Sequence, residues 1–226
     1  MILQNCKLTY FNLPGRGETA RLALSIGNIK FIDERVQFPQ GQFSQWKEIK
    51  SSTPWGSLPI LTLSDGTVIA QQRAILRLIG KETGLYPNDA IAAAKVDELM
   101  DACEDIILKT NYVGAGLPKD EKEAARAAAC TEGGTPHGIL KKVDSFIATN
   151  GGGYSVGESL TIADLSIYFD SSTLVSGLYD GVPLDALDNF NNLAIIRKTV
   201  RSHPAVCKWY DSLDDTVKVP SSFNKI

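Results

Sequence analysis

Few residues in this 226-residue chain are of types that do chemistry near neutral pH. Tyr10 closes a short run, Lys7-Leu-Thr-Tyr-Phe11, rich in strand-forming residues. A phenol at the carboxyl end of a strand stands where open α/β sheets bind ligands, and its O–H can donate to an anion. A half-buried packing tyrosine is the alternative that this position also allows. Four cysteines, Cys6, Cys103, Cys130 and Cys207, include no Cys-x-x-Cys pair and read as reduced, mostly buried thiols. Cys6, placed ahead of the first strand, admits a redox reading but has no resolving partner nearby in sequence. His137 and His203 are the only histidines, too few for most histidine-ligated metal sites, and no metal is expected. Asp97, Asp101 and Asp105 recur every four residues beside Glu104, so they share a helix face. On sequence alone that face is a solvated acidic one.

The elements that must position these groups follow from periodicity. After Tyr10-Phe11, the stretch Asn12-Leu-Pro-Gly-Arg-Gly17 is a loop. Glu18 to Ile26 has helical spacing and stops at Gly27. Phe31 to Val36 is a second strand, and Phe43 to Ile49 a short helical turn. Ile60 to Leu63 and Thr67 to Ala70, separated by Ser64-Asp-Gly66, form a hairpin. Gln71 to Thr83 is a helix with Ala74, Ile75, Leu78 and Ile79 on one face. The order β-α-β-α-β-β-α predicts a small α/β sandwich, with strands 1 and 2 parallel and the hairpin antiparallel.

Leu85 to Asn88 reads as a linker, and beyond it only helical periodicity appears. The stripe Ala93, Val96, Leu99, Met100, Cys103, Ile106 and Ile107 marks a long helix. Further helical patterns lie near 120–130, 137–149, 161–176, 190–202 and 204–213. Thr161-Ile-Ala-Asp164 has the form of a capping box with Asp in place of Glu or Gln. Two domains are therefore expected, an α/β unit over 1–85 and an all-helical one over 86–226.

Composition excludes several classes of function. Apolar residues are 43% and charged residues 22%, an ordinary globular balance. The net charge of −3 leaves no basic footprint for nucleic acid or an anionic membrane surface. Apolar runs fall far short of the roughly 20 residues a membrane helix needs. Residues 1–10 lack the pattern of a secretory signal, so a cytoplasmic protein is expected.

Several blocks together resemble a known family. They are Tyr10-Phe11 with Gly15-Arg16-Gly17-Glu18 and Arg21; Trp46, Lys50, Pro54, Gly56, Leu58 and Pro59; and Gln71 with Ala74-Ile75-Leu76-Arg77. Ser159 to Asp164 and His203-Pro204 extend the match into the second half. The chain resembles the cytosolic glutathione transferases, nearest the sigma class and its alpha, mu and pi relatives. The likeness spans nearly the whole chain, and no single motif bears it.

That resemblance implies a thioredoxin-like first domain, a helical-bundle second domain, and glutathione as co-substrate. An unperturbed thiol titrates near ~8.5, so stabilising the thiolate is the chemical task. The resemblance gives that task to the Tyr10 hydroxyl. It leaves Arg16 either stabilising charge near the sulfur or pairing with an acid such as Glu18. Trp46 and Lys50 would hold the glycine carboxylate. Leu58, ahead of a cis Pro59, would bind the cysteinyl backbone as an added strand. Gln71 and Gln72 would receive the γ-glutamyl carboxylate at a helix start, although Gln72 stands where the family has Ser or Thr. Asp105 would reach the glutathione amino group in the other subunit of a homodimer. Some sigma relatives also gather a divalent cation on this helix.

The expected activity is attack of the thiolate on a small apolar electrophile, in a pocket between the domains with Phe11, Leu13 and Tyr112 as candidate walls. A prostaglandin-type isomerase and a non-catalytic ligand-binding or structural relative are the alternatives. A thioltransferase would need a cysteine at or just after Tyr10, and none is there.

Overall fold

Strand-forming residues in Cys6–Phe11 (β1) and Phe31–Val36 (β2) pair in parallel, Tyr10 opposite Arg35. The computed structural model describes residues 2–37, 44–151, 153–217 and 219–223. A right-handed crossover is the usual way to join such a pair, and here the intervening helix is Glu18–Ile26 (α1). After a short helix, Ser44–Lys50 (α2), the hairpin forms from Ile60–Thr62 (β3) and Val68–Ala70 (β4). Its turn is closed by Asp65, whose carboxylate accepts from the Thr67 N–H at 2.8 Å. The sheet order is β2-β1-β3-β4, with β3 antiparallel to both neighbours. Gln72–Thr83 (α3) then packs beside α1. The expected β-α-β-α-β-β-α order and the thioredoxin-like architecture hold. Phe43, which opened the expected second helix, lies outside the described residues.

Two local readings change. Gly15–Gly17 is not open loop but a 3₁₀ turn that runs directly into α1, closed by the Glu18 N–H on the Gly15 carbonyl. Cys6 is the first residue of β1 rather than a residue ahead of it, and it is fully buried. Burial pushes its thiol up, which leaves it protonated and inert rather than poised for redox work.

The second unit is helical throughout: Ala90–Tyr112 (α4), Lys119–Ala129 (α5), Thr135–Asn150 (α6), Ile162–Leu174 (α7) and Asn191–Arg201 (α8). Pro204–Asp211 (α9) follows but packs on α1. The compact units are accordingly Met1–Tyr86 with His203–Val219, and Pro87–Ser202 with Pro220–Ile226. Within the second unit α7 is the central helix, packed on both α4 and α8, and nearly all its residues are buried. Asp144 on α6 fastens the start of α8 by accepting from the Asn192 and Leu193 N–H groups at 2.8 and 2.9 Å.

The capping box read at Thr161 and Asp164 is present at the head of α7. The Asp164 carboxylate accepts from the Thr161 N–H at 2.7 Å, the Thr161 hydroxyl at 3.0 Å and the Ser155 N–H at 2.7 Å. Burial raises its pKa, and these hydrogen bonds pull in the opposite direction. Asp164 therefore joins a loop to the one helix that the rest of the unit surrounds. Replacing it by Ala leaves buried N–H donors unpaired, and Asp164→Ala is expected to cost about 3 kcal/mol in urea unfolding. A loss below about 0.5 kcal/mol, the range of surface substitutions, would contradict this role.

Candidate active site

The strand register gathers the chemistry-bearing residues at one end of the sheet. Thr9 pairs with Ile60, and Ile60 with Ala70. Tyr10, Pro59 and Gln71 are each the next residue along the chain beyond that row, and Tyr10 pairs with Arg35 on its other neighbour. Three separate segments thus end at a common edge. The Leu58-Pro59 peptide bond is cis.

Tyr10 is 8% exposed, so its hydroxyl needs partners. The Arg16 backbone N–H donates to Tyr10 Oη at 2.9 Å. That bond occupies a lone pair and leaves the phenolic hydrogen to donate elsewhere. Burial raises the Tyr10 pKa; the Arg16 N–H and the positive charges of Arg16 and Arg21 oppose it without cancelling it. Tyr10 is therefore a neutral hydrogen-bond donor at physiological pH, in a setting that favours negative charge next to it.

The loop after β1 holds the ring by close approach of backbone. A Cβ on Gly15 would lie 2.5 Å from Tyr10 Oη, and one on Gly17 2.7 Å from Tyr10 Cγ. Gly15 also has a φ of +38°, outside the comfortable range of other residues. Tyr10 also meets Phe11 edge-on at 5.5 Å between ring centres, and Phe11 meets Trp46 at 5.6 Å. Trp46 is thereby tied to the Tyr10 end of β1 through aromatic contacts.

Arg21 anchors the loop from beneath and is fully buried. Its Nη1 donates to the carbonyls of Leu13 and Pro14 at 2.8 and 3.2 Å, and Nη2 to that of Phe11 at 3.3 Å. The guanidinium carbon lies 5.6 Å from the centre of the Tyr10 ring. Glu18, the alternative partner considered for Arg16, has its carboxylate oxygens accepting from Arg21 and Trp209.

Lys50 is exposed at the end of α2, with its side chain alongside Gly56. Gln71 precedes α3 with φ 73° and ψ 117°. Such a backbone costs a non-glycine residue about 1–3 kcal/mol and persists where surroundings impose it, typically at functional sites. Gln72 is the first residue of α3, and its Nε2 donates to Thr19 Oγ1 at 3.2 Å. Asp105 is exposed on α4 in the second unit, and Tyr112, 72% exposed, is its last residue. Among the described residues, no group of three or more His, Cys, Asp or Glu side chains is arranged to hold a metal ion. No helix among them is long and apolar enough to cross a membrane.

Local pattern did not reveal Trp209, whose partner Glu18 lies 191 residues earlier and which belongs to no recognisable motif.

The fit of Gly17 against the tyrosine ring yields a direct test. Gly17→Ala must displace Tyr10 or the loop, with an expected loss of about 1–3 kcal/mol from overpacking. Thermal unfolding measures it, and an unchanged midpoint would show that the ring does not rest on Gly17.

Comparison with known proteins identifies the family. The family model for the glutathione S-transferase C-terminal domain matches residues 108–213. Glutathione S-transferase 1 of Ascaris suum is 33% identical, the match covering 90% of this chain and 94% of that protein. Hematopoietic prostaglandin D synthase of Homo sapiens is 32% identical, covering 92% and 96%. Among solved structures, the glutathione S-transferase from Ascaris lumbricoides aligns with a TM-score of 0.74 at 31% identity, covering 94% of this chain and 99% of that one. With a tyrosine hydroxyl presented at the end of β1 and sequence likeness along nearly all its length, the chain belongs to the glutathione transferase family.

Proposed function

We propose that this protein is a glutathione transferase in which Tyr10 stabilises the thiolate of bound glutathione for attack on small apolar electrophiles. The observation that carries the reading is the Arg16 N–H on Tyr10 Oη, which orients the phenol and leaves its proton available. Glutathione supplies the sulfur nucleophile. Tyr10 keeps its proton throughout and donates a hydrogen bond to the sulfur, while the thiol proton passes to solvent. The carbon–sulfur bond then forms as the electrophile's leaving group departs with its electron pair.

The other roles follow from position and chemistry. We assign the Arg16 charge to stabilising the anion, since it already acts on the Tyr10 hydroxyl. Trp46 and Lys50 are assigned to the glycine carboxylate, and the Leu58 backbone before Pro59 to the cysteinyl segment. Gln71, with the backbone N–H groups that open α3, is assigned to the γ-glutamyl carboxylate. The Gln72 side chain serves this less directly, because its amide is engaged with Thr19. We retain the division of the chain near residue 85 between the glutathione-binding and helical parts. We also retain the homodimer in which the exposed Asp105 reaches its partner's glutathione, and the cytoplasmic location.

The likeness to hematopoietic prostaglandin D synthase favours a second use of the same thiolate, a glutathione-dependent isomerisation of the prostaglandin type. A product isomeric with its substrate and free of glutathione would identify it.

Retention on immobilised glutathione and turnover of a chloronitrobenzene are expected. Retention without turnover would favour a carrier, and failure of both would overturn the reading. Tyr10→Phe should lower kcat by about a hundredfold, in line with loss of one preorganised donor. Because the donor favours the anion, its removal raises the bound thiol's pKa. The rise of rate with pH should accordingly move to higher pH in the variant. Coincident pH profiles would remove Tyr10 from the mechanism.

A further inference from the structure

Five side chains of the first unit form a closed ring of contacts beneath the Tyr10 loop. Trp209 Nε1 donates to Glu18 Oε1 at 3.0 Å. Arg21 Nη1 donates to the other oxygen, Glu18 Oε2, at 3.1 Å. Arg21 Nε donates to Asp33 Oδ1 at 2.9 Å, and Arg35 Nε to Asp33 Oδ2 at 2.7 Å. Arg35 closes the ring by placing its guanidinium carbon 5.9 Å from the Trp209 ring centre. Two arginines and two carboxylates balance in charge, and Trp209 touches one of each.

The members come from three elements: Glu18 and Arg21 from α1, Asp33 and Arg35 from β2, and Trp209 from α9. Glu18 and Arg21 are 1% and 0% exposed, so the hydrogen bonds to Glu18 lie where charge is poorly screened. A carboxylate deprived of one donor draws harder on those that remain. For Glu18 the remaining donor is Arg21, the residue that holds the Phe11, Leu13 and Pro14 carbonyls and lies over the Tyr10 ring.

We infer that Trp209 is a positioning residue for the thiolate site: its indole N–H holds Glu18, which sets Arg21, the loop and thus the Arg16 N–H on Tyr10. This deepens the function proposed above and rests on it. The residue is remote in sequence from the loop that it serves, and its contribution is a hydrogen bond rather than bulk. Bulk is supplied by a different contact, the Trp209 ring tilted against Phe31 at 5.9 Å between ring centres, and Phe31 is no member of the ring of polar contacts.

The separation of hydrogen bond from bulk provides the test. The titration of bound glutathione thiol is followed by thiolate absorbance in wild type, Trp209→Phe, Phe31→Leu and Tyr10→Phe, with thermal unfolding in parallel. Trp209→Phe keeps an aromatic ring and removes the donor. It is expected to raise the bound thiol's pKa by about half a unit, a fraction of the shift available to hydrogen bonding, and to lower kcat by about threefold with little change in KM for glutathione. Phe31→Leu loosens the packing of α9 and should lower the unfolding temperature while leaving the titration in place. The inference is overturned if Trp209→Phe titrates with wild type while Tyr10→Phe shifts. An equal shift in Phe31→Leu would overturn it too, by assigning the effect to packing. If Tyr10→Phe itself leaves the titration unmoved, the proposed thiolate site falls and the inference falls with it.

Discussion

A fully buried guanidinium sets the terms for the first unit. An arginine without compensating charge in that position would cost several kcal/mol, and Arg21 meets the requirement with two carboxylates and three backbone carbonyls. The guanidinium is a rigid planar fork, so its acceptors must converge from fixed directions. Glu18 comes from the preceding turn of the same helix, Asp33 from β2, and the carbonyls from the chain leaving β1. One side chain thus fixes where α1 lies against the sheet and how the chain turns after Phe11. The cost of burying the charge is offset only while all these partners stay in place, which makes the loop rigid.

That rigidity reaches Tyr10 by three routes. The loop carbonyls held by Arg21 position Gly15 and Gly17, whose lack of side chains lets the backbone lie against the ring. The same loop delivers the Arg16 N–H to the hydroxyl. The Arg21 charge itself lies over the ring face. Burial alone would make Tyr10 a weak acid and a weak donor. The N–H and the two positive charges partly reverse that while the phenol stays neutral. A donor of this kind suits a thiolate: acidic enough to bind the anion firmly, and too weak an acid to protonate it.

The elements were legible because the chain writes each of them locally. Strand-forming residues at Lys7 to Phe11, helical spacing at Glu18 to Ile26 and the Asp-Gly turn each needed no distant information. The 3₁₀ turn at Gly15–Gly17 was missed because glycines signal a break in periodicity without saying how tightly the chain turns. The placement of Cys6 failed by one residue, the usual uncertainty at an element end. Tyr10 is a different case. Its type and position allow a packing role as readily as a chemical one, and only the match along the whole chain separates them. Trp209 was illegible for a simpler reason: its partner Glu18 lies 191 residues earlier, and no periodic pattern links them.

Gln72 shows how one substitution can redistribute a role without abolishing it. On the proposed reading, a short hydroxyl at the first residue of α3 would serve the γ-glutamyl carboxylate directly. The longer amide reaches sideways to Thr19, and so fastens α3 to α1 at the level of the sheet's edge. What remains at the helix start is the backbone, whose first-turn N–H groups carry the partial positive charge of a helix N-terminus. The strained Gln71 backbone is the geometric counterpart, since φ 73° is what turns the chain from β4 into the helix at this edge. The helix that Gln71 opens packs on α1, and the Gln72–Thr19 contact is part of that packing. On the proposed reading, the residue that fails to supply the family's hydroxyl thus helps to hold the backbone that replaces it.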